Sequence, residues 1–299
     1  MATKIIVTGA NGLVGRALLR RLWDTSAETY AVARNPGSLQ ASKVFTSPLE
    51  SEKVQKAIHQ SDVVVHLAGT LWPKPSNSYY GANVATTAAL VRGTRDSNVK
   101  RIIFLSSVDA REDSSNEYLK TKGQAETFLR MTGIPTVVFR CSHVIGSPDS
   151  PGPTALILRS ADGEPVKVLG SGQQIVAPVF VNDVVSAILM AIDKGRGGTY
   201  ELSGPDRMTM DDLVRMVNQN PHAAIKHLPG RLSKFLSKVI PGMPTALIDL
   251  LLKPSVGNPA QAVAEFGIRL TSLAGVWGMS GEPSKTPVIS AREEIELGT

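Results

Sequence analysis

Three glycines at fixed spacing near the start of the sequence constrain this chain most. Gly9, Gly12 and Gly15 stand between the apolar run 5–8 and the helix-like segment 12–23. Glycines at this spacing permit a tight strand-to-helix turn, close approach of backbone to phosphate and close packing of helix on strand. The amino end of a helix also attracts anions. The pattern predicts a dinucleotide site, and an ordinary turn with a helix cap is the alternative for a glycine triplet taken alone.

Strand-like and helix-like segments alternate through the first half of the chain. The predicted strands are residues 5–8, 29–33, 44–46, 63–67, 102–106 and 136–139, and the predicted helices are 12–23, 52–59, 80–97 and 117–132. Such alternation is typical of parallel strands joined by right-handed crossover helices. We therefore predict an α/β fold with a doubly wound parallel sheet of the Rossmann type.

The second half of the chain is less regular. A Gly/Pro-rich loop at 146–153 and several prolines within 209–273 interrupt it, whereas the helix-like segment 183–193 predicts a return to the sheet. We read residues 280–299 as a loose polar tail. The predicted domains are an NAD(P)-binding domain at 1–143, rejoined by 175–202, and a smaller C-terminal substrate-binding or lid domain at 144–174 and 203–299.

Composition excludes several classes of function. With 42% hydrophobic residues the chain can bury a large core, and its net charge of +6 comes from scattered basic residues, so we expect no nucleic-acid partner. The single cysteine, Cys141, excludes an internal disulfide, and the five histidines lack paired ligand spacing, so we expect no metal site.

No targeting or membrane-spanning segment is evident in the sequence, so we expect a cytoplasmic protein. The sequence leaves the oligomeric state, monomer or dimer, open.

Tyr118 and Lys122 are four residues apart in a predicted helix, so their side chains share one face. A nearby ammonium would favour the phenolate and let Tyr118 exchange a proton with a substrate oxygen. Ser106 and Ser107 end a predicted strand, where doubly wound sheets bind ligands, and Ser107 could contact the same oxygen. The alternatives are an accidental Tyr-x-x-x-Lys and serines that cap a turn.

Two further strand ends carry candidate cofactor contacts. Leu67, Ala68 and Gly69 follow His66, and these small or apolar residues would let backbone approach the nicotinamide half, while His66 itself reads as a packed core residue. Arg34 follows the second strand, where a carboxylate would hold the ribose of NAD. An arginine there suits a 2′-phosphate, so NADP(H) is favoured over NAD(H), with a solvated loop arginine as the alternative.

These motifs occur together in the order found in short-chain dehydrogenases/reductases. They are Thr8-Gly9-x-x-Gly12-x-x-Gly15, His66-x-Ala68-Gly69, Asn83-Val84-Ala85-Thr86, Ser106-Ser107, Tyr118-x-x-x-Lys122, Arg140 before Gly146, and Val179-Phe180-Val181-Asn182-Asp183-Val184. The chain resembles an extended or atypical member of that superfamily, from its epimerase/dehydratase-like branch.

The resemblance implies a catalytic trio. Ser107 would polarise the substrate oxygen, Tyr118 would transfer the proton, and Lys122 would lower the pKa of Tyr118 and hold the ribose. The implied cofactor-binding residues are Gly9, Asn11, Gly12, Leu13, Val14, Gly15, Arg34, Leu67, Ala68, Gly69, Asn83, Ser106, Tyr118 and Lys122. The small-molecule substrate would bind beside them.

Two functions follow from this resemblance. The first is an NAD(P)-dependent oxidoreductase or epimerase-like enzyme that moves a hydride between nicotinamide and a carbonyl or secondary alcohol. The second is a non-catalytic NADPH-binding sensor or assembly factor, similar to NmrA-like proteins and to the accessory subunit of respiratory complex I. Two departures point to such atypical groups: only ten residues separate Ser107 from Tyr118, and Pro48 stands where an aspartate is usual.

Residues 235–252 combine apolar residues with Lys238, and Lys234 and Lys253 flank them. A helical lid over an apolar pocket is the favoured interpretation of this segment. Contact with a membrane or with a lipid-like substrate is the alternative.

Overall fold

The predicted strand positions, rich in valine and isoleucine, form the centre of the fold. In a computed structural model, residues 2–74, 77–160, 164–229 and 243–278 are described. The predicted tail at 280–299 and residues 235–242 of the lysine-containing segment lie outside them. The strands are β1 Lys4–Thr8, β2 Glu28–Val32, β3 Lys43–Phe45, β4 Val63–His66, β5 Arg101–Ser107, β6 Thr136–Cys141, β7 Val144–Ile145, β8 Val166–Leu169, β9 Ile175–Val176, β10 Val179–Phe180, β11 Gly198–Leu202, β12 Met208–Thr209 and β13 Ile225–Leu228.

Seven of these strands form one sheet in the order β11-β6-β5-β4-β1-β2-β3, and every neighbouring pair is parallel. The helices are α1 Leu13–Trp23, α2 Glu52–His59, a π-helix Tyr80–Ala85, α3 Thr86–Gly93, α4 Glu117–Arg130, α5 Gly152–Ile157, α6 Val181–Asp193, α7 Met210–Val217, α8 Thr245–Leu252, α9 Ala260–Phe266 and α10 Leu273–Val276. The strand order reverses direction at β1, as a doubly wound fold requires. The fold class predicted from the sequence is confirmed.

Alternate residues of each central strand are buried on opposite faces of the sheet. In β1, Ile5 and Val7 pack with α1 and α6, whereas Ile6 packs with α2, α3 and α4. The same division holds in β4, where Val64 packs opposite Val63 and Val65. Because both faces are covered, a continuous apolar run is the pattern that such strands need.

The helix predicted at 80–97 is instead two elements, and it ends earlier. A π-helix occupies its first part, and α3 ends at Gly93. The hydroxyl of Thr94 donates to the carbonyl of Val91, and the hydroxyl of Ser97 donates to the carbonyl of Thr94, so local side-chain bonds replace the next helical turn. Asp96 then adopts a left-handed conformation with φ of 50°.

The second half of the chain returns to the sheet and then packs beside it. Strand β11 lies parallel to β6 and completes the sheet edge. Buried residues of α7, α8 and α9 belong to the same hydrophobic cluster as α1 and α6. The indole nitrogen of Trp277 donates to the carbonyl of Gly146 at 3.1 Å. The boundary between the two predicted domains stays a prediction.

Gly9 occupies the tightest point between β1 and β4. Its φ is +67°, and a Cβ placed there would lie 2.6 Å from the backbone of Leu67 and Ala68. Gly15 has a similar constraint, because a Cβ would lie 2.6 Å from the carbonyl oxygen of Gly9. Two of the three spaced glycines are thus required by close backbone contact.

Replacing Gly9 with alanine should strain the backbone and push the loop away from β4. Gly133 is a matched control, since its φ is +72° and nothing lies within 4 Å of its would-be Cβ. We expect Gly133→Ala to cost about 1 kcal/mol from φ strain alone. Gly9→Ala should cost about 2 kcal/mol more because of the backbone overlap. Urea denaturation of both variants measures this difference, and equal losses would contradict it.

Candidate active site

The carboxyl ends of β1, β4, β5 and β6 open into one cavity of about 250 Å³. The glycine loop forms part of its wall, and residues that follow β4, β5 and β6 form other parts. Helices α5 and α8 complete the wall. This position, at the carboxyl edge of a doubly wound sheet, is the usual place for a ligand in such folds.

The glycine loop presents backbone amides at the start of α1. The amide of Gly12 donates to the carbonyl of Gly9 at 3.0 Å, and the first helical bond runs from the amide of Arg16 to the carbonyl of Gly12 at 2.9 Å. The amides of residues 13–15 precede that bond and have no partner within the helix. Together with the helix dipole they form a site suited to a pyrophosphate.

Asn11 joins the glycine loop to the segment after β2. Its side-chain amide donates to the carbonyl of Asn35 at 2.5 Å, and Arg16 donates to the carbonyl of Asn11 at 3.1 Å. Arg34, next to Asn35, is exposed. The loop that would carry an adenosine ribose is therefore fixed to the loop that would carry the pyrophosphate.

Tyr118 lies on α4 and lines the cavity together with Ser107. Burial of its hydroxyl raises the pKa of Tyr118 to about 12, a shift that Cys141 reinforces and that a hydrogen bond with Ser107 opposes. The ring of Tyr79 packs edge-on against Tyr118, with 5.8 Å between the centroids. The phenol is therefore protonated at neutral pH and is a proton donor.

Lys122 lies one turn further along α4 and is 5% exposed. Its ammonium donates to the carbonyl of Leu105 and lies 4.1 Å from the centre of the Phe104 ring. Burial lowers the pKa of Lys122 to about 8. Lys122 is not among the groups that shift the pKa of Tyr118 in this arrangement, and the expected lowering of that pKa by Lys122 stays a prediction.

Asn83 reaches the cavity from the π-helix. Its amide nitrogen donates to the hydroxyl of Thr121 at 2.9 Å, while its Oδ1 is buried and has no partner within the described residues. A Cβ placed on Gly69 would lie 2.7 Å from this oxygen. A glycine at 69 therefore leaves room beside an unpartnered acceptor in the cavity wall. π-turns of this kind frequently mark functional sites.

Ser106 lines the same cavity, but its hydroxyl is engaged elsewhere. It donates to Glu126 at 2.6 Å, and Glu126 is fully buried. Arg140 binds both oxygens of that carboxylate at 3.0 and 2.7 Å, and Arg130 adds a third contact. Arg140 thus has a structural partner beneath the site.

His66 is a core residue, as its sequence context indicates. It is fully buried, with Nδ1 at 2.6 Å from the hydroxyl of Thr8 and Nε2 at 2.9 Å from that of Thr87. Burial lowers the pKa of His66 to about 3, so the ring is neutral. The hydrogen bonds of His66 with Thr8 and Thr87 therefore connect β4 to β1 and to α3.

Most of the predicted site residues come together at this cavity. Those that line it are Gly9, Gly12, Leu13, Val14, Gly15, Leu67, Gly69, Asn83, Ser106, Ser107, Tyr118 and Lys122. Asn11, Ala68 and Arg34 are not part of its wall. Cys141 and His143, which sequence reasoning did not place here, also line it. Cys141 ends β6 and His143 follows it two residues later, so the strand-end rule that selected Ser107 also applies to them.

The described residues also limit two other kinds of site. Within them, no three histidine, cysteine, aspartate or glutamate side chains group as metal ligands. None of the helices in the described ranges has both the length and the hydropathy that a bilayer crossing needs.

The family model for NAD dependent epimerase/dehydratase proteins matches residues 5–203. The chain belongs to this family. Over 249 residues it is 24% identical to the 40 kDa subunit of NADH-ubiquinone oxidoreductase from Neurospora crassa. Over 200 residues it is 29% identical to the UDP-2-acetamido-2,6-beta-L-arabino-hexul-4-ose reductase of Pseudomonas aeruginosa.

The matches cover only part of these relatives. They span 78% of this chain and 65% of the Neurospora protein, and 64% of this chain and 50% of the Pseudomonas reductase. A solved UDP-glucuronic acid 4-epimerase from Bacillus cereus, in complex with UDP-glucuronic acid and NAD, superposes with a TM-score of 0.73 over 92% of this chain and 97% of that one. Its identity of 18% makes it a likeness of fold.

Buried Lys122 should make the stability of this epimerase/dehydratase family member depend on pH. Its pKa is about 8 in the fold, against an ordinary value of 10.5. Between these values the unfolded chain binds more protons at this group, so the cost of burying the charge is relieved as pH rises. Relative to Lys122→Met, wild-type unfolding free energy should rise by up to about 1.4 kcal/mol per pH unit.

Urea denaturation of both proteins at pH 7, 8, 9 and 10 measures this difference. Lys120→Met is the control, because Lys120 is exposed on the same helix. It should follow the wild type at every pH. A constant gap between wild type and Lys122→Met would show that Lys122 keeps its ordinary pKa.

Proposed function

We propose that the chain is a nicotinamide-dependent oxidoreductase that transfers a hydride between the cofactor and a carbonyl or secondary alcohol. One observation carries this proposal: the glycine loop and the side chains of Ser107, Tyr118 and Lys122 line a single cavity. A phosphate-binding loop and a proton donor in one cavity are the two parts that such a reaction needs. Membership of the epimerase/dehydratase family supports the same chemistry.

The residues of the site would have separate roles. The amides at the start of α1 would bind the pyrophosphate, and Lys122 and Asn83 would hold the ribose and the nicotinamide end. When bound, the cofactor supplies or accepts the hydride. As a carbonyl carbon gains the hydride, its oxygen would take the proton of Tyr118, with Ser107 donating a second hydrogen bond to that oxygen.

The pKa of Tyr118 fixes the protonation state from which the reaction would start. A phenol with a pKa of about 12 holds its proton at neutral pH. Carbonyl reduction could use that proton directly, whereas oxidation of an alcohol would first require the phenolate. We therefore propose that Tyr118 acts as the proton donor in carbonyl reduction near pH 7.

The cofactor would be NADP(H). Arg34 is exposed in the segment that follows β2, and Asn11 fixes this segment to the glycine loop through Asn35. The guanidinium of Arg34 would hold the 2′-phosphate of the bound cofactor. An arginine suits such a phosphate because its donors form a planar fork.

A non-catalytic role is the second candidate. The ammonium of Lys122 is held by the carbonyl of Leu105 and the ring of Phe104, and not by Tyr118. Relatives also include subunits of NADH-ubiquinone oxidoreductase, of whose length this chain covers only part. Such a protein would bind NADPH without oxidising it.

Replacing Tyr118 with phenylalanine should remove the proton donor and leave the cofactor site intact. We expect NADPH oxidation with a panel of ketones and aldehydes to fall about 10² to 10⁴-fold, with the Kd of NADPH changed less than about twofold. Loss of NADPH absorbance gives the rate, and fluorescence titration gives the Kd. Tyr80→Phe is the control, since Tyr80 is 59% exposed.

The two candidate functions then separate clearly. Equal rates for wild type and Tyr118→Phe would remove the acid/base role of Tyr118. NADPH binding without turnover of any carbonyl compound would favour the non-catalytic role.

Replacing Arg34 with alanine tests the cofactor preference. We expect the wild type to bind NADPH at least about tenfold more tightly than NADH, because one charge-assisted bond to the 2′-phosphate is worth about 1.5 to 3 kcal/mol. Arg34→Ala should lose most of that preference and keep its affinity for NADH. Arg20→Ala, which changes an exposed arginine at the far end of α1, should keep the preference. Unchanged selectivity in Arg34→Ala would refute this role.

A further inference from the structure

Outside the glycine loop and the Ser107, Tyr118 and Lys122 side chains, the cavity wall is mostly apolar. Leu71 and Val108 contribute from the segments after β4 and β5, and Ile157 contributes from α5. Leu247, Leu250 and Leu251 contribute from α8. Leucines spaced by three and four residues share one helix face, so α8 turns a continuous apolar stripe toward the cavity.

Few charges are available to hold a second anion beside the cofactor. Among the described lining residues the charged side chains are Lys122, Lys253 and Asp109, and no arginine is included. The Leu105 carbonyl and the Phe104 ring already hold Lys122, which leaves the exposed Lys253 as the remaining cation of the described wall. Asp109 adds a negative charge that repels phosphate. Among the described residues, a nucleotide diphosphate beside the cofactor would therefore meet one exposed lysine and one carboxylate, which offset little of the desolvation of its charges.

His143 provides one polar group within this wall. Its Nε2 is buried and has no partner in the described part of the chain. Burial lowers the pKa of His143 to about 4, so the ring is neutral at pH 7. The neutral ring carries no charge, and its unpartnered Nε2 offers one hydrogen bond, as donor or acceptor according to the tautomer. A mostly apolar wall with a few directed polar groups is typical of a small-molecule site.

We propose that this cavity takes an uncharged, mostly apolar ketone or secondary alcohol as its substrate, and not a nucleotide sugar. The inference rests on the proposed function and specifies its substrate class. The reacting oxygen would lie against Ser107 and Tyr118, and the apolar body would lie against the leucines of α8. His143 would donate to or accept from one further polar group of the ligand.

Binding can be measured without turnover, so that failure of this inference is separate from failure of the catalytic proposal. Calorimetric titrations in NADP⁺, which cannot reduce a ketone, would compare 2-nonanone, its carboxylated counterpart 8-oxononanoate, and UDP-glucose. We expect 2-nonanone to bind at least about tenfold more tightly than either charged ligand. Tighter binding of UDP-glucose or 8-oxononanoate, or no binding of 2-nonanone, would overturn the proposal.

Leu250→Glu places a carboxylate in the apolar wall. Leu250 lines the cavity without belonging to the hydrophobic core, so the variant should fold. We expect its affinity for 2-nonanone to fall about tenfold, while NADP⁺ binding stays the same. Leu156→Glu makes the same change at a leucine that is 59% exposed on α5 and lies off the cavity wall. Equal 2-nonanone affinities in the two variants would contradict the proposed position of the ligand.

Discussion

The close contact between the ends of β1 and β4 is the constraint on which the site depends. Gly9 lies against the backbone of Leu67 and Ala68, where no side chain fits. Thr8 strengthens the same contact, since its carbonyl accepts from the amide of Leu67 at 3.1 Å and its hydroxyl accepts from the amide of Ala68 at 3.3 Å. These bonds bring the glycine loop and the segment after β4 to one edge of the sheet. The cavity lies along that edge.

Beneath the cavity, the buried carboxylate of Glu126 on α4 connects this helix to β5 and β6. Glu126 receives bonds from Ser106, Arg130 and Arg140, so its charge is compensated on three sides. Removing one partner of such a buried group costs several kcal/mol, because the remaining charge stays desolvated. The same helix carries Tyr118 two turns earlier. The position of the phenol therefore depends on an ion pair that lies outside the cavity wall.

The sequence was sufficient to predict those features that follow from local backbone geometry. Glycine spacing and apolar runs predicted the sheet, and the end of a parallel strand selected Ser107. The spacing of Tyr118 and Lys122 on one helix face, together with the family resemblance, selected the other two residues. The π-helix at Tyr80–Ala85 has no such pattern, because a single extra residue per turn leaves no periodic signal in a short segment. The pKa of Tyr118 could not be predicted either, since its direction depends on how deeply the surrounding elements bury the hydroxyl.

The low polarity around Tyr118 affects both the protonation of the site residues and the kind of ligand that the cavity can bind. The surroundings that keep Tyr118 protonated also lower the pKa of Lys122 and of His143, so each of these groups is driven toward its neutral form. A site that disfavours charge on its own residues disfavours charge on a ligand for the same reason. The phosphates of a bound cofactor would avoid this cost, because the amides at the start of α1 and the helix dipole would stabilise them. For a substrate beyond that helix end, the described part of the wall offers mainly apolar contact with α5 and α8.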